Sequence, residues 1–223
     1  METDNSCLPD GHIFPFLELP YHIRHDIYLL TLDYPDLSPV FAYVESQQAE
    51  IEKQHYASKL PLSVLPKPQV PARFMATPGL LLGNRQIAWE AQEAMHFKTF
   101  TLRQPPPHTD TLARSMDITD FISEGTLQTI RRIELVMDLA SRGDWSRTVE
   151  LLLDVWAVRN HLRSINVTIK QPASTREGVF WHGGSSRRVV RMLSMLQSFA
   201  TEAGIQLTGS PLPAPNVMRE PVD

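Results

Sequence analysis

The sequence predicts an α/β fold in which N-terminal helices are followed by strand–helix repeats. These repeats would form a small parallel sheet with helices mainly on one face. Three short segments alternate apolar and polar residues with a period of two, which is typical of half-buried strands. They begin at Phe100, Ile133 and Ile165, at nearly constant spacing, and helical patterns lie between them. Because helical crossovers favour parallel neighbouring strands, the repeat indicates a parallel sheet.

Each predicted strand has one apolar side. The strands cover 100–102, 133–139 and 165–169, and a short fourth strand is predicted at 205–207. A parallel sheet that is covered on both faces has continuously apolar strands. Because every second residue here is polar, we expect helices on one face only. The open face is either a solvated surface or a recognition surface, and its candidate recognition residues are Arg103, Arg132, Glu134, Asn166, Thr168 and Lys170.

Two long helices are predicted to alternate with the strands. Asp144 can accept a hydrogen bond from the first turn of a helix that covers 144–159. Ser185 or Ser186 can begin a later helix in the same way. Gly204 follows that helix, and glycine commonly ends helices because it adopts the left-handed backbone conformation.

Three other segments have weaker patterns. A short helix is predicted over 119–124, with Gly125 as its end. The segment 44–57 contains good helix formers but almost no apolar stripe, so it is either an exposed helix or a mobile insertion. No clear second helix is predicted directly after Leu32.

Proline and polar stretches set the expected domain organisation. We expect a flexible N-terminus over 1–13, followed by a single α/β domain over 14–208. This domain contains an opening helix (14–34) and a proline-rich loop (57–78), because proline interrupts regular structure. The tail 209–223 has little to bury, so it is predicted to be disordered.

Composition narrows the expected partners and compartment. The chain has 223 residues and a net charge of −4, which gives no electrostatic footprint for nucleic acid. Cys7 is the only cysteine, so no internal disulfide can form, and a reducing compartment, cytoplasmic or nuclear, is expected. No apolar run approaches the roughly 20 residues that span a bilayer, so no membrane partner is expected.

The opening helix carries an apolar stripe. Leu19-Pro20 precedes it, and proline is favourable at a helix start because its missing donor would be unpaired there. Ile23, Ile27 and Leu30 then follow the i, i+4, i+7 spacing of one helix face. Burying them stabilises the protein either by docking a partner or by packing on the chain's own domain.

Two motifs give this chain a family resemblance. The pattern Leu19-Pro20-x-x-Ile23-Arg24-x-x-Ile27-Tyr28 resembles the first helix of an F-box. It is more similar to the degenerate F-box-like opening of a large group of fungal proteins, many of uncharacterised function. The second motif, over 80–91, contains the Leu-rich, Asn-Arg-Gln-Ile and Glu-Ala pattern of the same group, followed by a Phe-x-Phe-like strand.

The resemblance implies a role in protein–protein interaction. F-box proteins hold a Skp1-like adaptor through their N-terminal helices and offer a separate domain to a protein substrate, and the complex directs ubiquitin transfer. A complete F-box has two further helices close behind the first. The positions that match the adaptor-facing pattern are Leu19, Pro20, Ile23, Ile27 and Tyr28.

One further segment is a candidate ligand site. Gly183, Gly184, Ser185 and Arg187 lie where a glycine turn opens a helix, which would expose backbone donors to an anion. The alternative is an ordinary serine cap after a flexible turn. No nucleophile elbow, dinucleotide-binding glycine motif or Cys-x-x-Cys pair is found, so no catalytic residue, metal or cofactor is assigned.

Three functions remain open: an interaction module, an enzyme or small-molecule binder, and a freestanding scaffold with no adaptor. The first is a non-catalytic protein-interaction module, in the form of an F-box-like substrate receptor for a ubiquitin ligase. Its partners would be a Skp1-like adaptor and an unknown protein substrate. The alternative is an enzyme or small-molecule-binding protein with a pocket near the strand ends.

Overall fold

The computed structural model describes residues 15–58, 84–107, 116–138, 144–170 and 183–209. Six α-helices and four strands lie within these ranges. The helices are α1 (Tyr21–Thr31), α2 (Ser38–Ser58), α3 (Arg85–Met95), α4 (Glu124–Thr129), α5 (Trp145–Val158) and α6 (Gly183–Ala203). The strands are β1 (Phe100–Leu102), β2 (Arg132–Asp138), β3 (Ser164–Lys170) and β4 (Gln206–Gly209). Two 3-10 turns cover Phe16–Glu18 and Ile118–Asp120.

The four strands form one parallel sheet in the order β1-β2-β3-β4. The register aligns the apolar residues of neighbouring strands: Phe100 lies opposite Ile133, Ile133 opposite Ile165, and Ile165 opposite Leu207. The predicted α/β class and the parallel sheet are therefore confirmed.

The main core lies on one side of this sheet. Most strand residues of that side are buried, and Phe100, Leu135 and Ile165 are fully enclosed, whereas Ile169 and Leu207 are half-buried. Buried residues from α2, α4, α5 and α6 complete the same cluster. Trp156 of α5 is anchored at its centre, since its indole Nε1 donates to the carbonyl oxygen of Leu127 at 3.1 Å.

Local capping signals identify the ends of two helices correctly. Asp144 accepts a hydrogen bond from the backbone nitrogen of Arg147 at 3.2 Å, which begins α5 as predicted. Gly204 follows α6 with a φ of 66°, in the left-handed region that glycine adopts without a steric penalty. The backbone nitrogen of Ile205 then donates to the carbonyl oxygen of Ala200 at 2.8 Å and closes the helix end.

The sequence predicts no clear second helix directly after Leu32, and this prediction is wrong. Helix α2 begins six residues later, at Ser38, and runs to Ser58. Its buried residues concentrate in the first part of the helix, where Phe41 contacts Phe121 with ring centroids 4.7 Å apart. After Ile51 no residue of this helix is buried. The helix therefore has only a weak apolar stripe in the sequence.

The short helix predicted over 119–124 is also corrected. The structure has a 3-10 turn over Ile118–Asp120 and then the separate helix α4. Ser123 caps α4, because its hydroxyl accepts from the backbone nitrogen of Thr126 at 3.2 Å. Gly125 therefore lies within the first turn of a helix and does not end one.

Several predictions concern residues outside the described part of the chain. These are the flexible N-terminus over 1–13, the loop residues 59–78 and the tail residues 210–223. Ser58 still belongs to α2, and Gly209 belongs to β4, so the flanking elements extend to those points. Among the described residues, no helix has the length and apolar character needed to cross a membrane.

Candidate functional site

A buried ion pair holds the first helix against α3. Arg24 donates from Nε to Oε2 of Glu90 at 2.9 Å, and from Nη2 to Oε1 at 2.7 Å. The two side chains keep only 9% and 4% of their surface exposed. A bidentate contact of this kind fixes both the distance and the orientation of the guanidinium and the carboxylate. The ion pair therefore sets how α1 lies on α3.

Two further hydrogen bonds saturate the carboxylate of Glu90. Gln86 donates to Oε1 at 2.9 Å, and the hydroxyl of Tyr28 donates to Oε2 at 3.2 Å. The hydrogen bond from Arg24 is the main reason that the pKa of Glu90 falls to about 2, although burial opposes it. Burial, followed by the hydrogen bond to Glu90, raises the pKa of Tyr28 to about 12. At neutral pH the carboxylate is ionised and the phenol is neutral.

Arg24 also fixes the turn that precedes α1. Its Nη1 donates to the carbonyl oxygen of Leu17 at 3.0 Å and to that of Leu19. The carbonyl oxygen of Pro20 accepts from the backbone nitrogens of Ile23 and Arg24, at 3.0 and 3.2 Å. The Leu-Pro part of the first motif is thereby tied to the same buried guanidinium.

The opposite side of α1 carries the predicted apolar stripe. Leu30 is 86% exposed and Ile23 is 39% exposed, while Ile27 between them is half-buried. We call these three residues the outward stripe. Since Arg24 and Tyr28 are the buried residues of α1, packing on α3 uses a different face of the helix. The outward stripe is therefore accessible while α1 packs on α3 through Arg24 and Tyr28.

The five residues that match adaptor-facing positions lie on two faces of the helix. Pro20 and Ile23 are exposed, and Leu19 and Ile27 are half-buried. Tyr28 is fully buried and belongs to a small cluster that includes residues of α3. Its place among the docking residues is corrected, because a side chain enclosed within the protein cannot contact an adaptor in this arrangement.

Sequence reasoning did not identify Glu90 as the partner of Arg24. The signal was present in both motifs, since Arg24 and Tyr28 are spaced i, i+4 on one helix, and Gln86 and Glu90 have the same spacing on another. Residues with this spacing share a helix face. Two helices that each carry polar groups of complementary type on one face are candidates for pairing.

The second candidate surface is the polar face of the sheet. The register places Glu134 beside Asn166 and Asp138 beside Lys170. Asn166 and Lys170 are exposed, and Glu134 is half-buried. The hydroxyl of Thr101 donates to Oε2 of Glu134 at 3.3 Å, so polar side chains of this face contact one another across the strands.

The remaining predicted residues of this surface are Arg103, Arg132 and Thr168. Arg103 directly follows β1 and is exposed, and Thr168 is half-buried on β3. Arg132 is exposed and donates from Nη1 to the carbonyl oxygen of Phe97 at 3.4 Å. The strands therefore bring most of the predicted residues to one partly exposed face.

The predicted anion site lies at the start of α6. The helix begins at Gly183, two positions before the predicted cap Ser185, so Ser185 is already helical. Gly184 and Arg187 lie in the same first turns. The side chains of this segment are outside the described part of the structure, and the anion site stays a prediction.

Small-molecule features are limited in the described part of the chain. There, no three His, Cys, Asp or Glu side chains are grouped as a metal site requires. A cavity of about 200 Å³ lies between α5 and α6, with Asp144, Glu150, Arg188 and Arg191 on its walls. Small-molecule pockets usually measure about 300–1,000 Å³. A more open groove of about 420 Å³ continues between the same helices.

Comparison of the chain with protein-family models, curated proteins and solved structures gives no match. Function is therefore inferred from the contacts and exposed surfaces described above.

Proposed function

We propose that this chain is a non-catalytic protein-interaction module whose first helix docks a partner protein through the outward stripe. The observation that carries this proposal is the distribution of large exposed apolar side chains. Nine such side chains occur among the described residues, and six of them lie on or next to α1 and α3. These six are Leu17, Tyr21, Ile23, Leu30, Trp89 and Phe97.

The attachment of α1 to α3 supports docking in a fixed geometry. A helix that is clamped by a buried ion pair loses little conformational freedom when a partner binds, which reduces the entropic cost of association. Full burial of an apolar side chain contributes about 1.5–3 kcal/mol. Leu30, at 86% exposure, therefore has most of that free energy still to gain.

The partner proposed for this stripe is a Skp1-like adaptor. The proposal combines the F-box-like motif, Leu19-Pro20-x-x-Ile23-Arg24-x-x-Ile27-Tyr28, with the exposure of Ile23 and Leu30. Helix α2 follows close behind α1, as in a multi-helix docking domain, although its buried residues join the sheet core. The polar sheet face is then available for a protein substrate, so the chain would act as the substrate receptor of a ubiquitin ligase.

The test is binding of a purified Skp1-like adaptor to the full chain and to a Leu30→Asp variant. A charge on the outward stripe should weaken adaptor binding by at least about tenfold, because it removes the burial of a leucine and adds a desolvation cost. Isothermal titration calorimetry gives the dissociation constants. Folding should be unaffected, since substitution of an exposed residue usually changes stability by only about 0.5 kcal/mol.

A matched control is Val158→Asp, at the end of α5. Val158 is 82% exposed and apolar, so the change adds the same charge to an exposed apolar position away from α1. This control should bind the adaptor like the unmodified chain. Equal binding by the Leu30→Asp variant, or the absence of adaptor binding by the unmodified chain, would disprove adaptor docking through this stripe.

A further inference from the structure

Cationic side chains gather at the edge of the sheet where the strands begin. In a parallel sheet, the segments that lead into neighbouring strands meet at one edge. Here these segments carry His96 before β1, Arg131 before β2, and His161 and Arg163 before β3. We call these four residues the amino-edge cluster.

The two arginines are neighbours across the strands. The backbone nitrogen of Arg163 donates to the carbonyl oxygen of Arg131 at 2.7 Å, which extends the pairing of β2 and β3 by one residue. Arg131 and Arg163 directly precede Arg132 and Ser164, the first pair in the register of β2 and β3. Like charges at neighbouring positions on adjacent strands repel each other and destabilise a sheet. The position of these arginines therefore has a cost in stability.

His96 lies in the electrostatic field of these arginines. Nδ1 of His96 is buried and has no hydrogen-bond partner among the described residues. Burial, and then the charges of Arg131, His161 and Arg163, lower the pKa of His96, while Glu93 opposes them. Nδ1 of His161 lies 3.0 Å from the carbonyl oxygen of Gln128, which orients that ring.

A phenol lies beside the cluster as a further donor. Tyr34 contacts Phe100 of β1, with ring centroids 5.6 Å apart. Burial raises the pKa of Tyr34, and the charge of Arg131 partly offsets this effect. The hydroxyl therefore stays protonated at neutral pH and can donate a hydrogen bond.

The cationic charge of the cluster is poorly compensated within the described part of the structure. There, no carboxylate forms a salt bridge with Arg131 or Arg163. Glu93, in the last turn of α3, is the acidic group that acts on His96. Arg163 and His161 are exposed and Arg131 is half-buried, so a solute can reach the cluster.

We infer that the amino-edge cluster binds a tetrahedral oxyanion, the phosphate group of a small molecule or free phosphate, through Arg131, Arg163 and ring N–H groups of His96 and His161. Guanidinium groups match the oxygen spacing of such anions and bind them with charge-assisted hydrogen bonds. A bound dianion also relieves the repulsion between the two arginines. This inference is independent of adaptor docking, because it involves neither the outward stripe nor its residues.

The pH dependence of binding has a definite sign. The pKa of His96 is low in the free protein, and a bound anion raises it by favouring the charged ring. Protonation of His96 and binding of the anion therefore favour each other. The affinity for the anion increases as the pH falls toward the pKa of His96. Sulfate is the appropriate first probe, because its charge does not change between about pH 6 and 8.

Sulfate should be titrated into the full chain at pH 6 and pH 8, with sodium chloride holding the ionic strength constant. The ring proton signals of His96 and His161 should shift in a saturable manner in NMR spectra. The affinity at pH 6 should exceed that at pH 8 by about three- to tenfold, as expected when binding takes up part of one proton. Sulfate should also raise the melting temperature of the unmodified chain more than that of a variant without the two arginines, since the general stabilising effect of sulfate acts on both.

The deciding variant is Arg131→Gln combined with Arg163→Gln. It should weaken sulfate binding by at least about tenfold and abolish the saturable ring-proton shifts of His96 and His161, because hydrogen bonds to charged groups are stronger than those between neutral groups. Both substitutions retain the backbone hydrogen bond between the two positions and remove charge repulsion, so the fold should stay intact. Near-ultraviolet circular dichroism measures this. Lys53→Gln with Arg85→Gln, two exposed cations of α2 and α3 outside the cluster, is the matched control and should bind sulfate normally.

Two phosphate probes then distinguish the sources of the anion. If methyl phosphate binds as tightly as inorganic phosphate, the site accepts the phosphate group of an ester. If only inorganic phosphate binds, the ligand is the free anion. Non-saturable shifts, equal binding by the Arg131→Gln and Arg163→Gln variant, or an equal loss in the control would overturn the inference.

Discussion

At the scale of single residues, Arg24 shows how one side chain can organise a whole motif. Its guanidinium contacts Glu90, which lies 66 positions away, and also holds the turn at Leu17 and Leu19. Removing one partner of a buried ion pair leaves the other charge buried and unpaired. This destabilises the protein more than replacing both partners by apolar residues does. A substitution of either Arg24 or Glu90 alone is therefore expected to destabilise the protein.

Replacement of Glu90 by glutamine should lower the free energy of unfolding by roughly 3–5 kcal/mol, the usual cost of breaking a buried ion pair. Urea denaturation followed by circular dichroism measures the change. Glu45→Gln, which removes an exposed carboxylate from α2, is the matched control and should stay within about 0.5 kcal/mol of the unmodified chain. A Glu90→Gln variant as stable as the control would mean that α1 is not held by this ion pair.

The sequence predicts residue roles well where the chemistry is local. The Asp144 cap and the Gly204 helix end each depend on neighbours within a few positions, and both were predicted correctly. The partner of Arg24 was not predicted, because Glu90 is distant in sequence and its i, i+4 relation to Gln86 has to be matched with that of Arg24 and Tyr28 on another helix. Likewise, the cluster of Arg131 and Arg163 arises only from the strand register.

At the scale of elements, β2 shows why alternation predicts which face is buried. Leu135 is fully buried, whereas its neighbour Val136 is half-buried and lies on the polar face. The parallel order of the strands was also predictable, because helical crossovers allow few alternatives. Helix α2 was harder to predict, since its apolar residues are concentrated near its first turns and leave the rest of the helix without a clear period.

These two adjacent residues of β2 offer a direct test of the open face. Leu135→Ala should lower the free energy of unfolding by about 2–5 kcal/mol, because it removes packing from a fully enclosed position. Val136→Ala removes two methyl groups from a position that keeps part of its surface exposed, so a change well below that range is expected. Thermal and urea unfolding of both variants give the comparison. Similar losses would show that the polar face is covered.

At the scale of the whole molecule, most buried apolar residues of the described segments belong to one of two separate clusters. The larger cluster joins the sheet with α2, α4, α5 and α6. The smaller one joins α1 and α3 around Tyr28 and Ala91, next to the buried ion pair. Because few buried apolar residues support the smaller cluster, its stability depends strongly on the ionised state of Glu90.

Acid should therefore open the α1–α3 cluster before the sheet. The pKa of Glu90 is lowered from an ordinary value of 4.5 to about 2. A lowered pKa contributes stability that is complete above the ordinary value and is lost as the pH falls toward the lower value. Hydrogen-exchange protection in α1 should decline between about pH 4.5 and 2.

The strands β2 and β3 serve as the internal reference for this measurement, because their protection does not depend on Glu90. The Glu90→Gln variant should show no such acid-dependent decline in α1. Parallel loss of protection in α1 and in the sheet would mean that the two clusters open as one unit.

The separation of Arg24 from Glu90 along the chain has a consequence for the order of synthesis. A ribosome makes the chain from its N-terminus, so Arg24 emerges long before the carboxylate that it needs. Helix α1 has 11 residues, and isolated helices shorter than about 12–15 residues are only marginally stable in water. The nascent first helix therefore remains unsecured, with both its apolar stripe and its cation accessible, until α3 has been made.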